Sequence, residues 1–196
     1  AVSGFSYPIS AIVHDTPLEP LGPAVAPGEY QVTLSVGGKS YTQPLTVRMD
    51  PRSTMTSAEL VEQERIGLAM RDATRVTWSA LGEIRKLRST VAEVRTKGGP
   101  KAPPDVVTAV ASLEPRLAGI ESGVAPAAGL VRLNAEAAAL LGNVEGADMA
   151  LTTQMLTKAA EITRNVSSLL ANWRALQTEI DRMNSSVRKA LGRRGK

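Results

Sequence analysis

The chain has 196 residues, a formal net charge of +4 and no cysteine, which excludes disulfides, thiolate catalysis and cysteine-ligated zinc together. Hydrophobic residues make up 43% of it but aromatic ones only 3%, so Ala, Leu and Val carry the apolar mass, a balance that favours narrow helix–helix seams over a deep core. No apolar run is long enough to cross a bilayer as a helix, and so small a net charge does not by itself direct the chain to nucleic acid.

The chain opens at Ala1 with neither an initiator Met nor a signal-peptide pattern, so Ala1 reads as a processing site or as the start of a piece of a longer protein. Residues 1–28 are punctuated by Pro8, Pro17, Pro20, Pro23 and Pro27, which argues against long regular elements. Phe5, Tyr7, Ile9 and Ile12-Val13 mark a short strand or a packed extended segment. The pattern then sharpens. Tyr30, Val32, Leu34 and Val36 alternate with Gln31, Thr33 and Ser35, the signature of a half-buried strand. Gly37-Gly38 supplies the two positive φ angles of a type I′ turn, and the return strand puts Tyr41, Leu45 and Val47 on one face. Pro44 lacks a ladder donor and predicts an edge or a bulge. Two strands alone do not make a stable sheet, so the missing strands either precede Ala1 or come from the N-terminal segment.

Asp50-Pro51 hands over to helical sequence. Thr56 and Glu59 fit a capping box. A heptad seam follows, with Ile66, Ala73, Ala80, Leu87 and Val94 on one track and Met70, Thr77, Ile84 and Val91 on the other. It predicts a helix that ends near Lys97, before Gly98-Gly99-Pro100. Val106, Val110, Leu113, Leu117 and Ile120 mark a shorter segment that Pro115 kinks or breaks. Leu130, Leu133, Ala137, Leu140-Leu141 and Val144 mark the next, beyond the Gly-containing stretch Ser122 to Gly129. The last seam pairs Met155, Ile162, Leu169, Leu176, Met183 and Ala190 with Ala159, Val166, Trp173, Ile180 and Val187, and predicts a second long helix of roughly the length of the first. The expected assembly sets the long helices antiparallel, with the short ones folded back as a hairpin over their distal half. The alternative joins the short helices into one interrupted rod, giving a three-helix bundle.

Few residues suggest chemistry. His14, the one histidine, lies beside Asp15 with no partner near in sequence and reads as a solvated loop residue. Glu59, Glu62, Glu83, Glu161, Glu179 and Asp181 read as charged faces flanking a seam rather than as paired acid–base groups. Trp173 and the methionines Met70, Met155 and Met183 fall on the seam; Trp78 falls off it and is free to cover a short helix or dock on the β module. Thr77 is the polar exception in the seam, with a hydroxyl that can bond back to a carbonyl one turn earlier. Basic residues gather between Arg85 and Lys101 and again at Arg188, Lys189, Arg193, Arg194 and Lys196. The second group suits a helix C-terminus and carries no nucleic-acid motif or stacking aromatics. No catalytic, cofactor-binding or metal-ligating residue is assigned.

The stretch GPAVAPGEYQVTLSVGGKSYTQPLTV resembles the closing hairpin of bacterial immunoglobulin-like modules of the flagellar-hook-capping type. Its continuation, LTVRMDPRS and later GLVRLNAEAAALLGNVEGAD, is similar to the C-terminal region of large bacterial proteins with sortilin-like, BNR-repeat β-propellers, which are often labelled glycosyl hydrolases. The resemblance covers roughly residues 15–190. It implies a C-terminal part of an immunoglobulin-like β module over 1–52 and a mainly α, antiparallel helical bundle over 53–196, with two long heptad helices and two shorter ones. It further implies a non-catalytic accessory region of an exported protein, in the periplasm or outside the cell. Its partners would be the propeller of the same polypeptide, a further protein, or a second copy through the helices. Any hydrolase activity would sit in the propeller, whose Ser-x-Asp-x-Gly-x-x-Trp boxes do not occur here. A free-standing chain would instead be cytoplasmic, and a small basic nucleic-acid binder is the second alternative.

Overall fold

The computed structural model describes residues 23–98, 102–146, 149–183 and 185–192. Within them the chain forms a two-stranded sheet and a helical bundle, in the order β1 (Gly28–Val36), β2 (Lys39–Val47), α1 (Ser57–Gly98), α2 (Pro104–Ser122), α3 (Leu130–Val144), α4 (Thr153–Arg182) and α5 (Ser185–Ala190). The expected N-terminal strand around Phe5 to Val13 lies outside the described residues.

The strands pair antiparallel, from Gly28↔Val47 to Val36↔Lys39. Gly37 and Gly38 turn the chain with φ of 56° and 75°, as a tight two-residue hairpin requires. Pro44 sits opposite Gln31 without a bulge. The hairpin is tied to the bundle at its root. The Ala24 amide donates to Glu145 Oε2 at 2.8 Å and the Ala26 amide to Glu64 Oε2 at 3.2 Å. The Tyr30 hydroxyl reaches back to the Ala26 carbonyl at 2.6 Å.

The start of α1 is a capping box: Glu59 N–H donates to Thr56 Oγ1 at 3.3 Å, and Thr56 N–H to Glu59 Oε2 at 2.7 Å. Its seam is buried as the heptads predict, from Ile66 and Met70 to Leu87 and Val91, with Leu81 added. Thr77 is fully buried, and its hydroxyl donates to the Ala73 carbonyl at 2.7 Å, which meets the cost of placing a polar group in the seam. Asn134 of α3 donates to the same hydroxyl at 2.7 Å and joins the two helices there.

The short helices do not fold back on each other. Arg88 of α1 bonds Glu114 and Glu121 of α2, Asn134 of α3 meets Thr74 and Thr77, and Gln63 donates to the Val144 carbonyl. Running down α1 from Arg88 to Gln63 therefore means running up the chain from Glu114 to Val144. The helices α2 and α3 form one interrupted rod antiparallel to α1. Trp173 of α4 bonds Glu83, while Ala159, Ile162 and Val166 pack with Ile66, Met70 and Ala73, so α4 runs parallel to α1. The expected antiparallel pairing of the long helices is thus corrected: the antiparallel neighbour of each is the rod. The reason is burial. A hairpin over the distal half would leave the proximal seam of α1 and α4 in a two-helix contact, whereas helices of 19 and 15 residues placed end to end span most of the 42-residue α1.

Two glycines allow the join. Gly123 has φ 83°, and a Cβ on Gly129 would collide with the backbone of Ser122 and Gly123. The end of α2 therefore abuts the start of α3, and Leu130 is buried in the same cluster as Leu117 and Ile120. Pro115 does not break α2, which continues through it from Pro104 to Ser122. The last seam, expected as one long helix, is divided: α4 stops at Met183, whose backbone is extended, and α5 follows.

Two clusters make the core. The distal one joins Ala80 to Val91 of α1 with Val106 to Ile120, Leu130, Trp173, Leu176, Ile180 and Val187. The proximal one joins Ile66, Met70 and Ala73 with Leu133 to Val144 and Ala159 to Val166. Leu169, expected deep in the seam, is only half-buried, and with Leu170 it packs against both clusters.

The glycines separate by position. Gly129→Ala is expected to lower stability by about 1–3 kcal/mol, because the backbone must shift. The exposed Gly82, in mid-α1 with open space around it, is expected to gain about 0.5–1 kcal/mol on replacement by Ala. Urea denaturation midpoints at constant slope check both.

Candidate functional site

Because side chains alternate along a strand, the register divides the hairpin into two faces of opposite character. One face holds Tyr30 opposite Leu45, Val32 opposite Gln43, Leu34 opposite Tyr41 and Val36 opposite Lys39. The other holds Glu29 opposite Thr46, Thr33 opposite Thr42 and Ser35 opposite Ser40. The polar face satisfies itself. The hydroxyls of Thr33 and Thr42 are 3.0 Å apart, those of Ser35 and Ser40 are 2.8 Å apart, and Thr46 donates to Glu29 at 2.9 Å.

The apolar face does not. Val32, Leu34, Val36, Tyr41 and Leu45 keep 53%, 63%, 61%, 56% and 47% of their surface exposed. Burying such a side chain fully contributes about 1.5–3 kcal/mol, so this row of five is apolar area that the described residues leave uncovered. Tyr30, held by its bond to Ala26, and Val47 at the root are drawn partly in. The expected half-buried strand is therefore present in its alternation, and its burial is not supplied by the described residues.

The helical residues with chemical potential are otherwise engaged. Glu59 closes the capping box, Glu62 holds Arg65, Glu161 holds Lys158, and Glu179 holds Arg116 at 2.6 Å. Asp181 lies on the exposed face of α4. Glu83 accepts from the buried Trp173 indole at 3.2 Å and from Gln177 at 3.0 Å. Trp78, off the seam as read from sequence, is 41% exposed and lines a surface depression with Arg71, Arg75 and Arg174. His14 and the tail residues Arg193, Arg194 and Lys196 lie outside the described residues, while Arg188 and Lys189 occupy the last turn of α5. Among the described residues no group of three or more His, Cys, Asp or Glu could hold a metal ion, and no helix is long and apolar enough to cross a membrane.

An interhelical ion cluster went unread in the sequence. Glu121, 8% exposed, takes Arg85 Nε at 2.8 Å and Arg88 Nη1 at 2.6 Å, and Arg88 also bonds Glu114 at 2.6 Å. Part of the basic run that begins at Arg85 is thus a clamp between α1 and α2. The only signal for it was Glu114 and Glu121, seven residues apart on a short amphipathic helix. Burial pushes the Glu121 carboxyl up, but the hydrogen bonds from Arg85 and Arg88 outweigh it and leave the group below the ordinary carboxylate range. Glu136 is lowered as well, first by its hydrogen bond with Lys158, against partial burial.

A depressed native value supplies stability that is complete above the ordinary glutamate value of 4.5 and is lost as pH falls through the lowered one. The melting temperature is expected to fall between about pH 5 and about pH 3. Glu121→Gln should melt lower at neutral pH with a flatter acid limb, and Glu136 should account for part of the slope that remains. Melts monitored by circular dichroism across this range would show it.

Compared with protein-family models, with curated proteins and with solved structures, the chain has no match.

Proposed function

We propose that this chain is a non-catalytic accessory region whose hairpin docks, by its apolar face, on a β domain of the same polypeptide, with the helical bundle bracing that contact or mediating assembly. The observation that carries this reading is the hairpin itself: a polar face closed by its own hydroxyl pairs, and an apolar face left in water. A hairpin of two strands is marginal by itself, so a partner that covers this face also stabilises the sheet. The sequence resemblance to the tails of sortilin-like, BNR-repeat propeller proteins supplies the identity of that β domain: an exported bacterial propeller, periplasmic or extracellular. In this reading any hydrolase chemistry belongs to the propeller.

Immunoblotting of cell fractions with an antibody to this chain is expected to detect a species several-fold larger than 20.7 kDa in the periplasmic or secreted fraction. A cytosolic band of 20.7 kDa would sink the reading. Within the longer protein, Leu34→Ser combined with Tyr41→Ser should expose the hairpin to limited proteolysis while the bundle melts unchanged.

A further inference from the structure

Two chain segments join the hairpin to the bundle, and only one of them is fastened to it. The outgoing link, Asp50 to Thr56, bonds within itself and to the first turn of α1. Ser53 N–H donates to the Asp50 carbonyl at 3.0 Å, Arg52 N–H to Asp50 Oδ1 at 2.9 Å, and Thr56 closes the capping box with Glu59. Among the described residues, none of 28–47 makes a hydrogen bond to a helix, and none enters either core cluster. The hold is made by the incoming segment, Pro23 to Ala26. Its Ala24 and Ala26 amides donate to Glu145 and Glu64, and its Ala26 side chain is buried.

Helix α1 builds the seat for Glu145 with two residues one turn apart. Gln63, buried, donates to the Val144 carbonyl at 2.6 Å and fixes the backbone just before Glu145. Gly67 is buried in the interior of α1, where the helix itself favours Ala. A Cβ there would stand 2.6 Å from Glu145 Oε1 and 3.2 Å from the Pro23 Cβ. Gly82, the other glycine in the interior of α1, has nothing within 4 Å of the same point. The space at Gly67 is thus taken by the end of a flexible side chain and by the segment it holds. Glu145 Oε1 is buried without a hydrogen bond, while Oε2 takes the Ala24 amide at 2.8 Å. Closing this contact gains one charge-assisted bond and dries one carboxylate oxygen, two effects of opposite sign.

We propose that Gly67, Glu145 and Ala24 form a clasp that holds the hairpin to the bundle and opens without unfolding either. Opening frees Pro23 to Ala26 from α1, wets Glu145 Oε1 and leaves both core clusters intact. Gly67 is the positioning residue: it costs α1 helix stability and supplies the room that the carboxylate needs. The clasp does not depend on what the hairpin docks on.

Amide hydrogen exchange in the full chain, followed residue by residue, tests the clasp. The Ala24 amide is expected to be protected in the unaltered chain. Gly67→Ala pushes the Glu145 carboxylate aside and should speed exchange at Ala24 by about tenfold or more, while the bundle melts no lower than before. Glu145→Ala should speed it as much without touching α1. Both act through one contact, so the double variant exchanges at Ala24 no faster than Glu145→Ala alone. Gly82→Ala makes the same change in α1 where nothing is in contact, and leaves Ala24 unchanged. An unprotected Ala24 amide in the unaltered chain overturns the proposal, as does unchanged exchange in either single variant. A lower melting temperature for Gly67→Ala, or additive effects in the double variant, overturns it too and makes Gly67 a packing position of the bundle.

Discussion

The structure depends on one requirement: a 42-residue amphipathic helix must be covered along its whole length. A seam of Ala, Leu, Ile and Val gains stability only where it meets another helix, and an isolated helix of this composition gains little elsewhere. The chain meets the requirement with two helices neither of which is long enough. The join between α2 and α3 is therefore the critical place. There Gly123 and Gly129 let backbone meet backbone, so the rod continues across the break and the seam stays dry on both sides of it. The Arg85–Arg88–Glu121 clamp sits at the end of α2 next to this join. It fixes the axial position of the rod, which an apolar seam alone specifies poorly.

The hairpin follows a different logic. Its strands have the register, turn and polar pairing of a complete sheet, but its apolar side lacks a counterpart among the described residues. A bundle that satisfies its own seam thus stands next to a sheet whose apolar face the described residues leave uncovered. The anchors at Glu64 and Glu145 set that end on the bundle through the backbone amides of Ala24 and Ala26, beside the buried Ala26 side chain.

Much of this was legible in the residues. The capping box at Thr56, the glycine turn, the alternation of Tyr30 to Val36 and nearly every seam position were fixed by local chemistry and by period. The direction of the rod was not. Whether the stretch from Ser122 to Gly129 reverses the chain or offsets it turns on how closely the backbone of Gly129 packs on that of Ser122 and Gly123, which no spacing rule encodes. Of the two outcomes read for Pro115, a kink or a break, the break does not occur, because a helix held by its packing tolerates a proline that would break an isolated one. The ion clamp was hidden because Arg85 and Arg88 read as part of a basic cluster until Glu121 is brought beside them. The candidate surface was legible as a pattern, since an incomplete sheet was evident from two strands. That its apolar side faces water needed the structure.

Leu169 and Leu170 touch both packing clusters, while α1 passes through both without interruption. So does α4, which carries Ala159 to Val166 in one cluster and Trp173 to Ile180 in the other, and the two leucines lie between these stretches. The hairpin's anchors, Glu64 and Glu145, lie at the proximal end of this arrangement. The two clusters are therefore joined by shared helices as well as by one pair of side chains.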